Sequence, residues 1–158
     1  MSLLQNLDSS MLKDTITVFN PFYTASDRDM PPEYRGRHTP TVIRSCYFGH
    51  KSKRNFTENG TQVVDLFNAY IDMENSGFSK QNIGENAWRI APLNKQEDLF
   101  FCFQKGMLLI EGEHEIFSGS RLKLDIPALE KQGFKIYTVN MVSPALDFGR
   151  ILFYHIGG

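Results

Sequence analysis

"FCFQKGMLLIEGEHEIF", residues 101–117, holds the choice of fold. An aromatic strand runs into a turn at Lys105-Gly106, four apolar residues follow, and carboxylates recur at a spacing of two: Glu111, Glu113 and Glu115. A glycine-bearing turn between two such runs signals a hairpin, and aromatic and aliphatic residues suit a pleated, half-buried surface. Side chains two apart on a strand share a face, so the three glutamates are expected together on one side of a ribbon. In an enzyme, like charges held that close would raise a carboxyl pKa. On a structural ribbon they make a wet face that discourages edge pairing. The ribbon is the preferred reading, because charged runs are usually solvated surface.

The flanking sequence is mostly β as well. "DTITVF" (14–19), "TVIRSCYFG" (41–49), "EDLFFCF" (97–103), "RLKLDI" (121–126), "FKIYTVNMV" (134–142) and "RILFYHI" (150–156) read as strands, and "AWRIAPL" (87–93) as a shorter one. "PALEKQG" (127–133), with proline first and glycine last, fits one or two helical turns. "TQVVDLFNAYID" (61–72) points both ways. Val63, Leu66, Phe67, Tyr70 and Ile71 recur at helical spacing, which favours a helix, although the preceding Asn59-Gly60 is a hairpin turn signal. "NPFYTASDRDMPPEYRGRHTP" (20–40) and the basic "HKSKRNFTENG" (50–60) read as exposed loops of a length that is usually functional. The expectation is one mainly β domain over residues 1–158, a small barrel or sandwich with long loops and one or two short helices. Residues 1–13 would form a flexible arm.

At 158 residues the chain is long enough to bury its core without staples. A net charge of −1 gives no bulk attraction to nucleic acid. Lys51, Lys53 and Arg54 still form a local basic patch, and a ring of copies would repeat it around a pore. No run approaches the roughly 20 apolar residues of a membrane span, and residues 1–12 lack the basic start and apolar core of an export signal. Cys46 and Cys102 sit in apolar runs and are expected as buried, reduced thiols. The four histidines are scattered, and Cys46 with His50 falls short of the four ligands of structural zinc. With no G-x-S-x-G and no phosphate-cradling glycine loop, no cofactor is expected.

Two resemblances bear on function. Arg35 in "EYRG", Ser118-Gly119-Ser120 and the Glu-x-Glu pair are similar to the arginine–serine–glutamate layout of ADP-ribosyltransferases. That resemblance implies an enzyme using Arg35 with Glu113 or Glu115. The family's serine motif precedes its Glu-x-Glu, however, and here it comes after.

The broader resemblance is to the minor capsid or head–tail connector (neck, head-completion) proteins of tailed bacteriophages. "DTITVFNPFY" resembles that family's "TVTVYN" opening, and "HTPTVIRSCYF" stands where it has an Arg-Thr-Val-rich strand. "GENAWRI" matches its Trp-bearing polar segment, and "FFCFQKGMLLIEGE" its aromatic strand, Lys-Gly turn and apolar strand ending Gly-Glu. "RILFYHIGG" matches its closing strand and glycines, while Met107 stands where the family usually has aspartate. The resemblance implies a structural virion protein, assembled in the bacterial host cytoplasm, that forms a ring with its own copies and docks on portal, tail or capsid proteins. It also implies contact with passing DNA, and neither a membrane nor a small-molecule partner. Residues 101–117 would be a hairpin in a small barrel, with Glu111 and Glu113 as rim charges. Arg28, Tyr34, Arg35 and Arg37 in one loop, and Lys51, Lys53 and Arg54 in the other, would reach neighbours or the channel. A third possibility is a small β-domain that binds a ligand by stacking on Trp88 and tyrosines.

Overall fold

The computed structural model describes residues 12–25 and 27–158. The arm expected over residues 1–13 lies outside them, apart from Leu12 and Lys13. The chain is mainly β, with 45% strand against 17% helix. The strands and helices are β1 (Asp14–Pro21), β2 (His38–Thr57), β3 (Gly60–Asp72), β4 (Gly77–Phe78), β5 (Gln81–Asn82), α1 (Glu85–Ile90), α2 (Leu93–Asp98), β6 (Phe100–Phe101), β7 (Leu108–Glu111), α3 (Ile126–Lys131), β8 (Tyr137–Thr138), β9 (Met141–Asp147) and β10 (Arg150–Gly157). Single 3-10 turns lie at Asp27–Asp29 and Glu115–Phe117. One antiparallel sheet runs β8-β7-β1-β2-β3-β10-β9, with β4 beside β2, and it curls into a half-barrel. β5 and β6 form a separate parallel pair.

Two chain segments produce the curl. The first half of β2 pairs with β1 and the second half with β3. Between them, Asp14 to Ile16 on β1 faces Cys46 to Ile43 on β2, so β2 carries one extra residue there. Ser45, at φ 59, sits in that bulge, and a bulge bends its strand and increases the local twist. Residues 137–147 act similarly at the other side. β8 lies on β7 and β9 on β10, while the Val139 N–H donates to the Met107 carbonyl and the Asn140 N–H to the Gly157 carbonyl. One stretch of backbone therefore borders both ends of the sheet.

The main core fills the curl with Ile16, Val18, Ile43, Phe67, Ile71, Leu109 and Ile156. A second cluster, Phe19, Leu108, Ile110, Phe117 and Leu129, lies on the back of β1 and β7 beside α3. This explains the unbroken "MLLI": Met107 and Leu109 belong to the first cluster, Leu108 and Ile110 to the second. A strand buried on both faces has no polar side to alternate with. Asn20 ties β1 to the residue just past β6. Its wholly buried amide donates to the Cys102 carbonyl at 2.8 Å and accepts from the Cys102 N–H at 3.4 Å.

Several expectations need correcting. Residues 61–72 belong to strand β3, not a helix. Phe67, Ala69 and Ile71 alternate inward, whereas Tyr70 stacks on His155 with ring centroids 4.3 Å apart. That outward aromatic imitates a helical stripe. The basic segment 50–60 is ribbon rather than loop. "AWRI" is in helix α1, and α2, which Pro92 opens at its N-cap, takes in Glu97 and Asp98, the first two residues of "EDLFFCF". Residues 101–117 are not a hairpin: β6 pairs with β5, and β7 with β1 and β8. The "RLKLDI" alternation is real in burial, with Leu122, Leu124 and Ile126 packed on the second cluster. Among the described residues, however, its ladder contact is a single bridge from Leu122 to His38. The expected helix at 127–133 is α3, capped by Asp125 Oδ1, which accepts from the Ala128 N–H.

Candidate interface surfaces

The basic segment forms an arm. Beyond Phe67 the β2–β3 ladder continues from Lys51↔Leu66 to Thr57↔Gly60, and among the described residues no third strand pairs with either edge there. Six steps at about 3.3 Å each make a ribbon about 20 Å long. A two-stranded ribbon is marginal in water by itself. Lys51 and Arg54 are exposed, Phe56 near the tip is 85% exposed, and the Lys53 side chain lies outside the described part. The base is fixed through Asp65, which accepts from Ser52 Oγ at 2.7 Å and pairs with Lys135 at 2.9 Å. The Ser52 hydroxyl, then Lys135, hold that carboxyl below its ordinary pKa.

A second projection closes β9–β10. Asp147 pairs with Arg150, leaving Phe148 (φ 50) and Gly149 (φ 77) as a two-residue turn. Positive φ at both places is a type I′ turn, where Asn-Gly is the favoured pair. Phenylalanine in the left-handed region costs about 1–2 kcal/mol. Phe148 is 102% exposed and its neighbour Leu146 64%, so burial within the chain does not offset that cost.

Residues 22–37 form the expected loop, exposed at Arg28, Glu33 and Arg35, and it is held to the body. Gln96 is wholly buried; its side chain accepts from the Tyr23 N–H and donates to the Tyr23, Trp88 and Ala91 carbonyls. Tyr34 packs edge-on against Phe22 and lies under the Arg121 guanidinium, which pairs with the buried Glu97. Arg35 donates to the Met30 carbonyl at 3.1 Å. Arg28 and Arg35 are exposed and Arg37 is half-buried. Nearby, Lys80 Nζ donates to Thr39 Oγ1 at 2.6 Å, and burial pushes this amine down to about 8 against the pull of Asp98 and Glu97. A lysine beside a hydroxyl has the form of a nucleophile–base pair. Thr39 is wholly buried and donates to the Glu97 carbonyl, so here the pair braces the fold.

The three carboxylates do not line one strand face. Gly112, at φ 88, ends β7 at Glu111. Glu113 instead receives both of its bonds from Arg44 Nη2, at 2.7 and 2.9 Å, and Glu115 opens a 3-10 turn. Glu113 and Glu115 border one depression with Thr17, Val42 and His114, and Arg35 is not among its lining residues. Trp88 is wholly buried in α1 and offers no stacking face. Cys46 and Cys102 are free and buried, and burial raises both thiols to about 12. Among the described residues, no helix is long and apolar enough to cross a membrane.

The exposed aromatics at 56 and 148 were not picked out by periodicity. The signal for the second was Phe-Gly between two β-rich runs, where a turn must fall. Comparison of the chain with family models, with curated proteins and with solved structures returned no match.

Proposed function

We propose that the chain is a structural virion-assembly protein of a tailed-phage head–tail connector. It forms a ring with its own copies around the DNA channel and docks on neighbouring portal, tail or capsid proteins. The observation that carries this reading is the ribbon over residues 51–66. It extends about 20 Å beyond the sheet, keeps both edges unpaired among the described residues, and ends near an exposed phenylalanine. Unpaired strand edges are templates for another chain. A ribbon that is marginal alone gains stability when a neighbour covers it. Lys51 and Arg54 give the base of one of its strands exposed positive charge, which suits a position beside DNA in an assembly whose net charge per chain is only −1. The β half-barrel and the order of the motifs along the chain support the connector resemblance.

The test is negative-stain microscopy and sedimentation of the purified chain. Closed rings with an open centre are expected, with masses at integer multiples of 18.1 kDa. A chain that stays at 18.1 kDa alone and in the presence of portal protein would end the proposal.

A further inference from the structure

The two unpaired edges of the ribbon are not equivalent. Along a strand, alternate residues turn their N–H and C=O groups to the same side. The Phe67 N–H donates to the Gly158 carbonyl at 2.9 Å and the Gly158 N–H to the Phe67 carbonyl at 3.3 Å, so Phe67 faces the side of β3 on which β10 lies. Asp65, Val63 and Thr61 therefore turn the same way, while Leu66, Val64 and Gln62 face β2. Between the turn at Glu58-Asn59 and the rung that Gly158 fills, β3 thus offers three successive rungs that no strand meets among the described residues. The other edge belongs to β2, which carries Lys51, Lys53 and Arg54, and cations on an edge strand discourage pairing. From Gly60 to Phe67, β3 has no lysine, arginine or proline, and Thr61, Val63 and Val64 are β-branched. The one charge on its open rungs, Asp65, is already met by Ser52 and Lys135.

Resting on the reading that neighbouring copies hold the ribbon, we infer that β3 of one copy pairs antiparallel with β3 of a second, about a two-fold axis at Val63. Three rungs in a row fix that register. With the middle one on the axis, every open rung meets another: Val63 against Val63, and Thr61 against Asp65 of the second copy. The edge is its own complement, as a two-fold contact requires. Each such pair exchanges both of its N–H···O bonds, giving about six in all. No like charges stand opposite one another, and two marginal ribbons become one four-stranded sheet. A two-fold contact closes on itself, so this one joins copies in pairs and the ring closes through another surface.

The test is disulfide trapping of the full chain with oxidised glutathione, beside sedimentation velocity and thermal unfolding. V63C puts a thiol on the axis, where paired Cα atoms lie about 5.5 Å apart, within reach of a disulfide. R54C is the control, because Arg54 stands beside Val63 on the other strand and would lie three strand spacings, about 14 Å, from its copy. V63C is expected to form a linked dimer at least about tenfold faster than R54C; the native Cys46 and Cys102 are buried. V63P removes an N–H that β2 does not use, a change an edge strand tolerates. It is expected to weaken association by about 30-fold through the two central bonds, with an unchanged unfolding temperature; if that temperature falls, the trapping result decides. Rings that form while V63C and R54C cross-link at equal rates, or that a stably folded V63P forms equally well, would make this pairing wrong and leave the ring reading standing. Fast trapping of V63C in a chain that goes no further than pairs would keep the pairing and end the ring. A chain that remains monomeric throughout, with and without portal protein, would overturn both.

Discussion

Replacing Gln96 with leucine isolates what holds residues 22–37 to the body. Leucine keeps most of the buried volume, so the change is mainly polar. The Gln96 Oε1 accepts from the Tyr23 N–H at 3.0 Å, and its Nε2 serves the carbonyls of Tyr23 (3.0 Å), Trp88 (3.1 Å) and Ala91 (2.9 Å). Two amide protons shared among three carbonyls, with one accepted bond, amount to about three hydrogen bonds. At about 0.5–1.5 kcal/mol each, their removal costs about 1.5–4.5 kcal/mol. The Trp88 carbonyl keeps the Ala91 N–H as a partner, and the half-exposed Tyr23 backbone gains water, so the expected loss is about 2–3 kcal/mol. A chain of this size loses about 2–4 °C per kcal/mol, so the unfolding temperature should fall by roughly 4–12 °C. Urea unfolding gives the free energy, and tryptic cutting at Arg28, Arg35 and Arg37 reports release of the loop. A loss under about 0.5 kcal/mol, with unchanged cutting, would refute the assignment.

Two further outcomes rest on local chemistry. Folded Lys80 holds its proton only to about 8, whereas the unfolded side chain holds it to its ordinary 10.5, so between those values the unfolded chain binds more protons. Stability from this group therefore rises with pH through that window. Cys46 and Cys102 act oppositely, because folding raises them from 9.0 to about 12 and their contribution is lost as pH climbs above 9.0. Urea midpoints should climb from pH 8 to 9 and fall beyond, and Lys80→Met should remove the climb; a flat wild-type profile would contradict this. At the β2 bulge, Ser45→Gly should raise stability by up to about 1 kcal/mol and Ser45→Val should lower it by about 1–2 kcal/mol, since Ser45 sits at φ 59. Equal unfolding temperatures for the two variants would remove the bulge from the explanation.

The sequence made the β character legible because most strands carry β-branched and aromatic residues, and the Asn59-Gly60 turn lay within a residue of where the β2–β3 ribbon reverses. Partnership was not legible. Local pattern shows that "FFCF" and "MLLIE" are extended, but nothing in them records that each pairs with a distant segment rather than with the other. The helical stripe at 63–71 failed because Tyr70 finds an aromatic partner, His155, on the outer face. Leu122 and Leu124 alternated for burial alone. At the surface, Lys51, Lys53 and Arg54 were identified as a basic cluster, yet their placement on a ribbon depended on a bend at Ser45 that no residue type announces. The carboxylates misled because Gly112, a single residue, turns the chain out of the strand.

Amide hydrogen exchange over residues 51–66 addresses the proposed role of the ribbon most directly. In dilute chain the ladder from Lys51↔Leu66 to Thr57↔Gly60 should exchange rapidly, because two strands alone are marginal. In assembled material the same amides should slow by at least about tenfold, while β1 and β7 remain protected in both. Ribbon amides that exchange equally fast before and after assembly would show that the arm is not what neighbouring copies hold.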